Sequence, residues 1–223
     1  MSGHQLLDYN PPPDDGLDLL WADDHVLIVN KPSGLLSVPG RGEAFADCMA
    51  ARVQARFADA LIVHRLDMDT SGLLLLARGK DMQRQFSDLF LHRQVDKRYV
   101  AVVHGLMAQD EGLVDLPLIT DWPNRPKQKV DHEIGKPSQT GYAVVQRDEQ
   151  AQTTRVELEP ITGRSHQLRV HMLALGHPIV GDPLYAQGQD ARLGQRLMLH
   201  AARLCLRHPV TGVTMDLDCS VPF

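Results

Sequence analysis

The sequence is short of cysteine and has no long apolar run, and each shortage excludes a class of protein. Cys48, Cys205 and Cys219 are odd in number, lie far apart and form no CxxC pair. They predict free or buried thiols in a reducing cytoplasm, not a disulfide framework or a zinc site. The longest purely apolar runs span only a few residues, so no segment is predicted to cross a membrane.

The first residues also lack the features of a signal peptide. Residues 1–16 are polar and rich in proline, and they contain no apolar stretch of the kind that signal peptides need. We expect them to form a flexible or loosely docked arm. Residues 17–223 have no internal repeat and no break in composition, and they predict a single domain.

The chain has no excess of positive charge, because its 23 lysines and arginines are outnumbered by 28 aspartates and glutamates. The net charge of −5 argues against a protein that coats nucleic acid without specificity. Basic residues nevertheless form two clusters, whose candidates for phosphate binding are Lys97, Arg98, Arg125, Lys127 and Lys129. Acidic residues dilute both clusters, so the alternatives are a solvated charged face and a localised phosphate-binding face.

Apolar spacing and turn residues predict more strands than helices. Strands are expected at 26–32, 73–77, 99–105, 142–145, 155–159, 203–207 and 213–218, and helices at about 44–58, 80–92 and 165–175. Residues 117–137 are rich in proline and are predicted to be a long loop with short extended pieces. Because helices do not alternate strictly with strands, the pattern favours an α+β fold with a large mixed or antiparallel sheet.

The most informative segment is His64–Ala77, in which a polar run turns into an apolar block. The polar part includes Asp67, and the chain then passes through Thr70-Ser71-Gly72 into residues typical of a buried strand. Asp67 is therefore predicted on a loop that a core strand holds at one end. Rigid scaffolds present catalytic groups in this way.

A carboxylate that acts as a nucleophile or base must be ionised, and a neighbouring cation helps to keep it so. Arg164 is the candidate partner of Asp67, because it lies at a glycine-led helix start where the helix dipole disfavours a cation. Arg164, Gln167 and His171 are spaced to share one helix face. The alternative is that Arg164 is a surface cation and Asp67 caps a turn.

Tyr99 is a second candidate for the site. It begins an apolar strand directly after Lys97 and Arg98, and an aromatic ring beside cations can stack on a nucleobase. Considered alone, Tyr99 would be assigned as a core or edge tyrosine.

The histidines do not predict a metal site. His166 and His171 are five residues apart, so they do not share a helix face as paired zinc ligands do. The other histidines add no compact ligand set, and we expect these side chains to cap helices or lie in the core.

Together these segments resemble the RluA-type pseudouridine synthases. The two longest matches are His64–Gly72 and Ile161–His171. Shorter matches follow in the family's order at Asn30–Gly34, Lys97–Tyr99, Gly181–Tyr185 and Leu199–Ala201. The resemblance covers nearly the whole chain from Leu20 onward.

The resemblance implies an enzyme that isomerises uridine in RNA to pseudouridine without a cofactor. The N1–C1′ bond breaks, the uracil turns and C5 joins C1′, and the target nucleotide must first leave its stack. The implied fold is a bisected mixed sheet, mostly antiparallel and flanked by helices and loops, with the active-site cleft across its middle.

The resemblance also implies roles for single residues. Asp67 is the catalytic carboxylate, although attack on C1′, attack on the ring and removal of a sugar proton all remain open. Arg164 pairs with Asp67, Tyr99 stacks on the flipped uracil and Leu199 packs beneath the site. Arg65 is a candidate to fill the gap that the flipped base leaves.

Three loops narrow the resemblance to one subgroup of the family. Leu35–Arg41, Gly112–Ile119 and Asp121–Val130 are similar to the dual-specificity members, which modify both 23S rRNA and the anticodon stem-loop of certain tRNAs. Asn30 comes too early for an amino-terminal S4-like domain. We therefore expect a cytoplasmic monomer that acts on one or both RNAs, the alternatives being a non-catalytic RNA-binding module and a metal-dependent nuclease.

Overall fold

A computed structural model describes residues 9–186 and 196–223 of the chain. The strands are β1 (Leu19–Ala22), β2 (Val26–Lys31), β3 (Ala60–Ile62), β4 (Ser71–Arg78), β5 (Val95–His104), β6 (Glu111–Asp115), β7 (Leu118–Thr120), β8 (Gln128–Val130), β9 (Gln139–Asp148), β10 (Thr153–Pro160), β11 (Leu199–Arg207) and β12 (Thr214–Asp218). The helices are α1 (Met49–Arg56), α2 (Gly79–Leu91) and α3 (Gln167–Ala174), with short 3-10 turns at Glu43–Phe45 and Trp122–Asn124.

Ten of these strands form one mixed sheet, and its centre lies between β4 and β5. The main order is β1-β2-β4-β11-β5-β10-β9-β6, with β3 added beside β4 and β12 beside β11. Neighbouring strands run antiparallel except β4 and β11, which run parallel. β7 and β8 form a separate hairpin. The predicted α+β class and mostly antiparallel sheet are confirmed.

The junction between β4 and β11 is short and depends on one glycine. Only Ser71 with His200 and Gly72 with Ala201 are paired across it. A Cβ on Gly72 would lie 2.3 Å from the carbonyl oxygen of Ala201, and Gly72 has a φ of +110°. A larger residue would clash and would be strained in this backbone conformation, so glycine is what lets the two strands meet.

The sheet is covered in two parts, with a separate apolar core on each side of this junction. The first core packs β2 and β4 against α1 and α2, and its largest buried helix side chain is Phe86. The second packs β5 and β10 against α3, with Leu199 from β11 among its buried members. Tyr99 touches both cores, so the middle of the sheet is where the two halves meet.

Most predicted elements are present, with shifted ends. The helix predicted at 44–58 is a 3-10 turn followed by α1. α1 begins after Cys48, and the Sγ of Cys48 accepts a hydrogen bond from the Ala51 N–H. The proline-rich segment 117–137 holds the β7–β8 hairpin. β1, β3 and β6 were not predicted, because they are short and owe their form to their neighbours in the sheet.

The described part of the predicted arm lies against α1. Tyr9 donates a hydrogen bond to the Asp47 carbonyl, and Arg52 donates to the carbonyls of Pro12 and Pro13. Residues 1–8 of that arm lie outside the described residues. All three cysteines are free thiols. Among residues 9–186 and 196–223, no helix is both long enough and apolar enough to span a bilayer.

Candidate active site

Asp67 lies on the short loop that leads into β4, at the middle of the sheet. The Thr70 N–H donates to the Asp67 carbonyl at 3.1 Å and closes the turn. β4 is buried from Ser71 to Ala77, which is the predicted arrangement of a carboxylate beside a core strand. The Asp67 side chain is 26% exposed, so a substrate can reach its carboxylate.

A second segment, residues 31–37, clamps this loop from the side. Three of its side chains donate to loop carbonyls at 2.6–2.8 Å: Lys31 to Met68, Ser33 to Asp69 and Ser37 to Leu66. The Gly34 N–H also donates to Met68 O at 3.0 Å. The backbone on both sides of Asp67 is therefore fixed without using the carboxylate itself.

Lys31 is the strongest of these clamps. Its side chain is fully buried, and its Nζ donates to the carbonyls of Pro32, Leu35 and Met68 at 2.7–2.8 Å. Burial lowers the pKa of Lys31 to about 7, against the opposite pull of Asp69 and Asp67. Three acceptors match the three N–H groups of an ammonium, so these carbonyls favour the charged form while burial opposes it.

Arg169 of α3, not Arg164, is the cation that contacts Asp67. Its Nη1 lies 3.2 Å from Asp67 Oδ2. Its Nε and Nη2 donate to the two carboxylate oxygens of Asp182 at 2.7 Å each. Both Arg169 and Asp182 are buried, and such a two-pronged pair fixes the plane of a guanidinium. Asp182 therefore aims Arg169 at the carboxylate of Asp67.

The charges of this cluster support one another. Oδ1 of Asp182 also accepts the N–H groups of Leu184 and Tyr185, at 2.9 and 3.1 Å. Burial opposes the charge of Arg169, but the carboxylates of Asp182 and Asp67 outweigh it and raise the pKa of Arg169. Arg169 stays charged, as a fixed counter-ion for Asp67.

The predicted pairing of Arg164 with Asp67 is wrong. Arg164 precedes α3, is exposed, and its Nε donates weakly to Pro137 O at 3.4 Å. The predicted shared helix face holds only for Gln167 and His171, which both bond Thr140 Oγ1 at 2.9 Å. Because α3 begins at Gln167, Arg164 lies outside the helix.

Tyr99 lies in β5, opposite Ala201 of β11 and Leu158 of β10. It is partly buried between the two cores. Burial raises the pKa of Tyr99, and the charge of Asp67 raises it further. The ring is therefore a neutral aromatic surface.

Leu199 and Arg65 differ in their exposure. Leu199 is buried in the second core at the first position of β11, opposite Ala101. Arg65 is exposed two residues before Asp67. It forms no ion pair with the residues that the structure describes, so its guanidinium is available to a substrate.

The basic pair before Tyr99 is divided between the two faces of β5. Lys97 shares the face of Tyr99, since alternate residues of a strand point the same way. Arg98 points to the opposite face, where it lies 3.9 Å from Glu157 and 3.5 Å from Glu159. Lys97 is therefore the better candidate for RNA contact of the two.

The other basic candidates lie in and beside the β7–β8 hairpin. Arg125 stacks over the Trp122 ring at 4.7 Å, and both side chains are exposed. Lys127 is partly buried and Lys129 lies 3.3 Å from Asp131. The hairpin contacts α3 through β8, so these cations belong to the half of the molecule that supplies Arg169.

Sequence reasoning missed Arg169, Asp182 and Lys31. All three are charged residues that the structure buries, and a buried charge needs a partner. The signal for Arg169 was its position between Leu168 and Val170 in a helix that is buried from Gln167 to Met172. His171 is a core histidine as predicted, bonded to Thr140 Oγ1 and Leu116 O.

Comparison with known proteins places this site in a family. Residues 25–174 match the family model described as RNA pseudouridylate synthase. A curated protein of Yersinia pestis, named dual-specificity RNA pseudouridine synthase RluA, is 54% identical over 205 residues, which cover 92% of this chain and 99% of that protein. The protein of the same name from Escherichia coli K12 is 53% identical over 215 residues, covering 96% and 98%.

A solved structure supports the same relationship at the level of the fold. Human RNA pseudouridylate synthase domain containing 1 superposes with a TM-score of 0.80 at 28% identity, covering 96% of this chain and 87% of that one. The matches span both cores and all the segments that surround Asp67.

Proposed function

Since the chain belongs to the RNA pseudouridylate synthase family, we propose that it isomerises specific uridines in both a 23S rRNA hairpin and a tRNA anticodon stem-loop. RNA is the substrate of this family, and the dual target follows the names of the relatives from Yersinia pestis and Escherichia coli. The observation that carries the proposal is the placement of Asp67, whose backbone is clamped, whose carboxylate meets Arg169 and whose surface is partly open.

The reaction needs no net gain or loss of atoms. The N1–C1′ bond breaks and a C5–C1′ bond forms, while C5 loses a proton and N1 gains one. A carboxylate that attacks C1′ or the ring, or that removes a sugar proton, must be ionised and aimed. Arg169 presents a fixed cation to Asp67 and sets the orientation of its carboxylate, because Asp182 holds the guanidinium.

Tyr99 supplies the surface for the displaced base. A uracil next to Asp67 would lie against the phenol ring and gain stacking energy, which aromatic side chains provide to unstacked bases. Because the pKa of Tyr99 is raised by burial, the hydroxyl keeps its proton at neutral pH. It therefore acts as a hydrogen-bond donor as well as a stacking partner.

The target uridine must leave its helix or loop before it can reach Asp67. Arg65 is exposed beside Asp67 and is suited to occupy the space that the base vacates. Lys97 and the hairpin residues Arg125, Lys127 and Lys129 are suited to hold phosphates around the opened stack. In this proposal the protein acts as a monomer in the cytoplasm and uses neither cofactor nor metal.

The test is pseudouridine formation in two transcripts, a tRNA anticodon stem-loop and a large-subunit rRNA hairpin, in the presence of a chelator. Wild type and Asp67→Asn are compared, because asparagine keeps the size and removes the charge. We expect Asp67-dependent product in both RNAs, with RNA binding retained by the variant. Size-exclusion chromatography with light scattering checks the monomer.

Each other outcome has a definite meaning. Product in only one transcript would contradict dual specificity but would support the isomerisation reaction. Activity of Asp67→Asn would overturn the role of Asp67. Binding without product in either transcript would favour a non-catalytic RNA-binding module, and activity that the chelator abolishes would contradict metal-free chemistry.

A further inference from the structure

Two side chains behind Asp67 have no role in the mechanism described above. Nδ1 of His166 and Oη of Tyr185 lie 2.8 Å apart. Nε2 of His166 faces Oδ1 of Asp67 at 4.0 Å. The Gln128 N–H donates to Tyr185 Oη at 2.7 Å. These contacts form a continuous line from β8, in the hairpin that carries Arg125, to the catalytic carboxylate.

The donors and acceptors along this line fix the position of each proton. Tyr185 Oη accepts from Gln128, so its own hydrogen is directed at Nδ1 of His166. A proton on Nδ1 would leave the buried hydroxyl hydrogen without an acceptor among the contacts of the described residues. Burial lowers the pKa of His166, so the neutral imidazole carries its proton on Nε2, on the side of Asp67.

The backbone at His166 indicates that its side chain is needed there. His166 has a φ of 53°, in the left-handed region, directly before α3. This conformation is unfavourable for a residue with a Cβ relative to glycine. His166 and Arg169 face different oxygens of Asp67.

We propose that His166 and Tyr185 are positioning residues for Asp67. Arg169 fixes Oδ2 of the carboxylate, and the Nε2–H of His166 fixes Oδ1 when the present 4.0 Å contact shortens to a hydrogen bond in the RNA complex. Hydrogen bonds of catalytic groups often tighten in this way on substrate binding. Because Tyr185 and Gln128 connect His166 to the hairpin, RNA bound at the hairpin influences the orientation of the carboxylate. This inference rests on the proposed function.

A purely structural role for the pair is the competing explanation. The His166 and Tyr185 rings meet edge-on at 5.7 Å, and the Arg169 guanidinium lies over the Tyr185 ring at 5.1 Å. These contacts would join α3 to its neighbours whatever the proton positions are. The two explanations differ in whether loss of one hydroxyl changes the chemical step.

The test compares His166→Asn, Tyr185→Phe and the double variant in single-turnover reactions, with RNA affinity measured separately. Asparagine tolerates the left-handed backbone, and phenylalanine keeps the ring under Arg169. Each single change is expected to lower the rate by roughly tenfold to a hundredfold, the factor that one hydrogen bond to a charged group is worth, with RNA affinity unchanged. The double variant should be no slower than the slower single variant, because both changes break one chain.

Two control variants remove similar groups elsewhere. Tyr142→Phe deletes the hydroxyl of a partly buried tyrosine in β9, and His177→Asn deletes an imidazole that bonds His104 O. Both should react at the wild-type rate. Thermal unfolding of every variant shows whether a lower rate merely reflects lost structure.

Nitrogen-15 NMR of the wild-type imidazoles tests the proton position without any substitution. His166 should carry its proton on Nε2, and Tyr185→Phe should abolish that preference. Three results would overturn the inference. The first is a proton on Nδ1 of His166, and the second is a wild-type rate in both single variants. The third is a double variant whose rate falls by the product of the two single-variant factors. If wild type forms pseudouridine and Asp67→Asn does not, such results refute only the inference. If wild type forms no pseudouridine, the proposed function itself has failed.

Discussion

Arg169 is a single buried cation shared between two carboxylates, and the site depends on that sharing. Asp182 takes two of its nitrogens and Asp67 takes the third. A lysine in its place has one nitrogen and cannot form the two parallel bonds that orient a guanidinium. The orientation of Asp67 therefore depends on Asp182 through Arg169. Asp182 is held in turn by the N–H groups of Leu184 and Tyr185.

Arg169→Lys should lower the single-turnover rate by about a hundredfold, the effect expected when a catalytic group is misplaced by about 1 Å. It should also reduce the free energy of unfolding by roughly 1.5–3 kcal/mol, because hydrogen bonds to a charged group are lost. Arg164→Lys is the matched control and should react as wild type does, since Arg164 is exposed. Rate measurements and urea unfolding check both. Greater damage from Arg164→Lys would restore the pairing first expected from the sequence.

The contrast between these two arginines shows where sequence reasoning succeeded and failed. Asp67 could be predicted because a polar run beside a buried strand is visible as a pattern. Arg169 could not be assigned in the same way, because its partners Asp67 and Asp182 lie 102 and 13 residues away in the chain. Arg164 was predicted from the helix dipole alone, and the dipole carries no information about which side of the helix is buried.

At the scale of elements, the site is a loop held between two segments that are far apart in sequence. Residues 31–37 bind the backbone around Asp67 through side-chain donors, and β4 fixes the loop's other end. β2 and β4 could be predicted because their apolar runs are continuous. The contacts between residues 31–37 and the Asp67 loop could not be predicted. Their acceptors are backbone carbonyl groups, which carry no signal in the sequence.

Lys31→Met tests the clamp through its pH dependence. The carbonyls of Pro32, Leu35 and Met68 lose their donor, which should reduce the free energy of unfolding by roughly 1–3 kcal/mol. In wild type the pKa of Lys31 falls from 10.5 to about 7 on folding. Between these values the unfolded chain binds more protons than the native protein, so stability gained from this group rises with pH.

The free energy of unfolding of Lys31→Met should therefore fall further below that of wild type as the pH rises from about 7 to about 10.5. The difference should be smallest below about pH 7. Urea unfolding of both proteins at about pH 6.5 and about pH 9.5 measures it. A deficit that is the same at both values would mean that the three carbonyls keep Lys31 charged throughout, contrary to the lowered pKa.

At the scale of the whole molecule, an acidic protein must bind an acidic polymer. With a net charge of −5, long-range attraction does not favour RNA, so binding depends on where the cations lie. The structure divides them: Arg98 faces Glu157 and Glu159, whereas Arg65 and Arg125 are exposed. Arg65 and Arg125 are therefore better placed than Arg98 to replace counter-ions on phosphates.

Salt dependence of RNA binding measures how many of these cations take part. Each neutralised phosphate adds about 0.7 to 0.9 to the slope of log affinity against log salt. Changing Arg125, Lys127 and Lys129 to glutamine together should therefore reduce the slope by about two to three for both the rRNA hairpin and the tRNA stem-loop. Lys80→Gln with Arg84→Gln, on exposed positions of α2, should leave it unchanged. A hairpin variant with the wild-type slope would remove the hairpin from the RNA-binding face, and a reduction for one RNA alone would mean that the two substrates dock differently on the same catalytic loop.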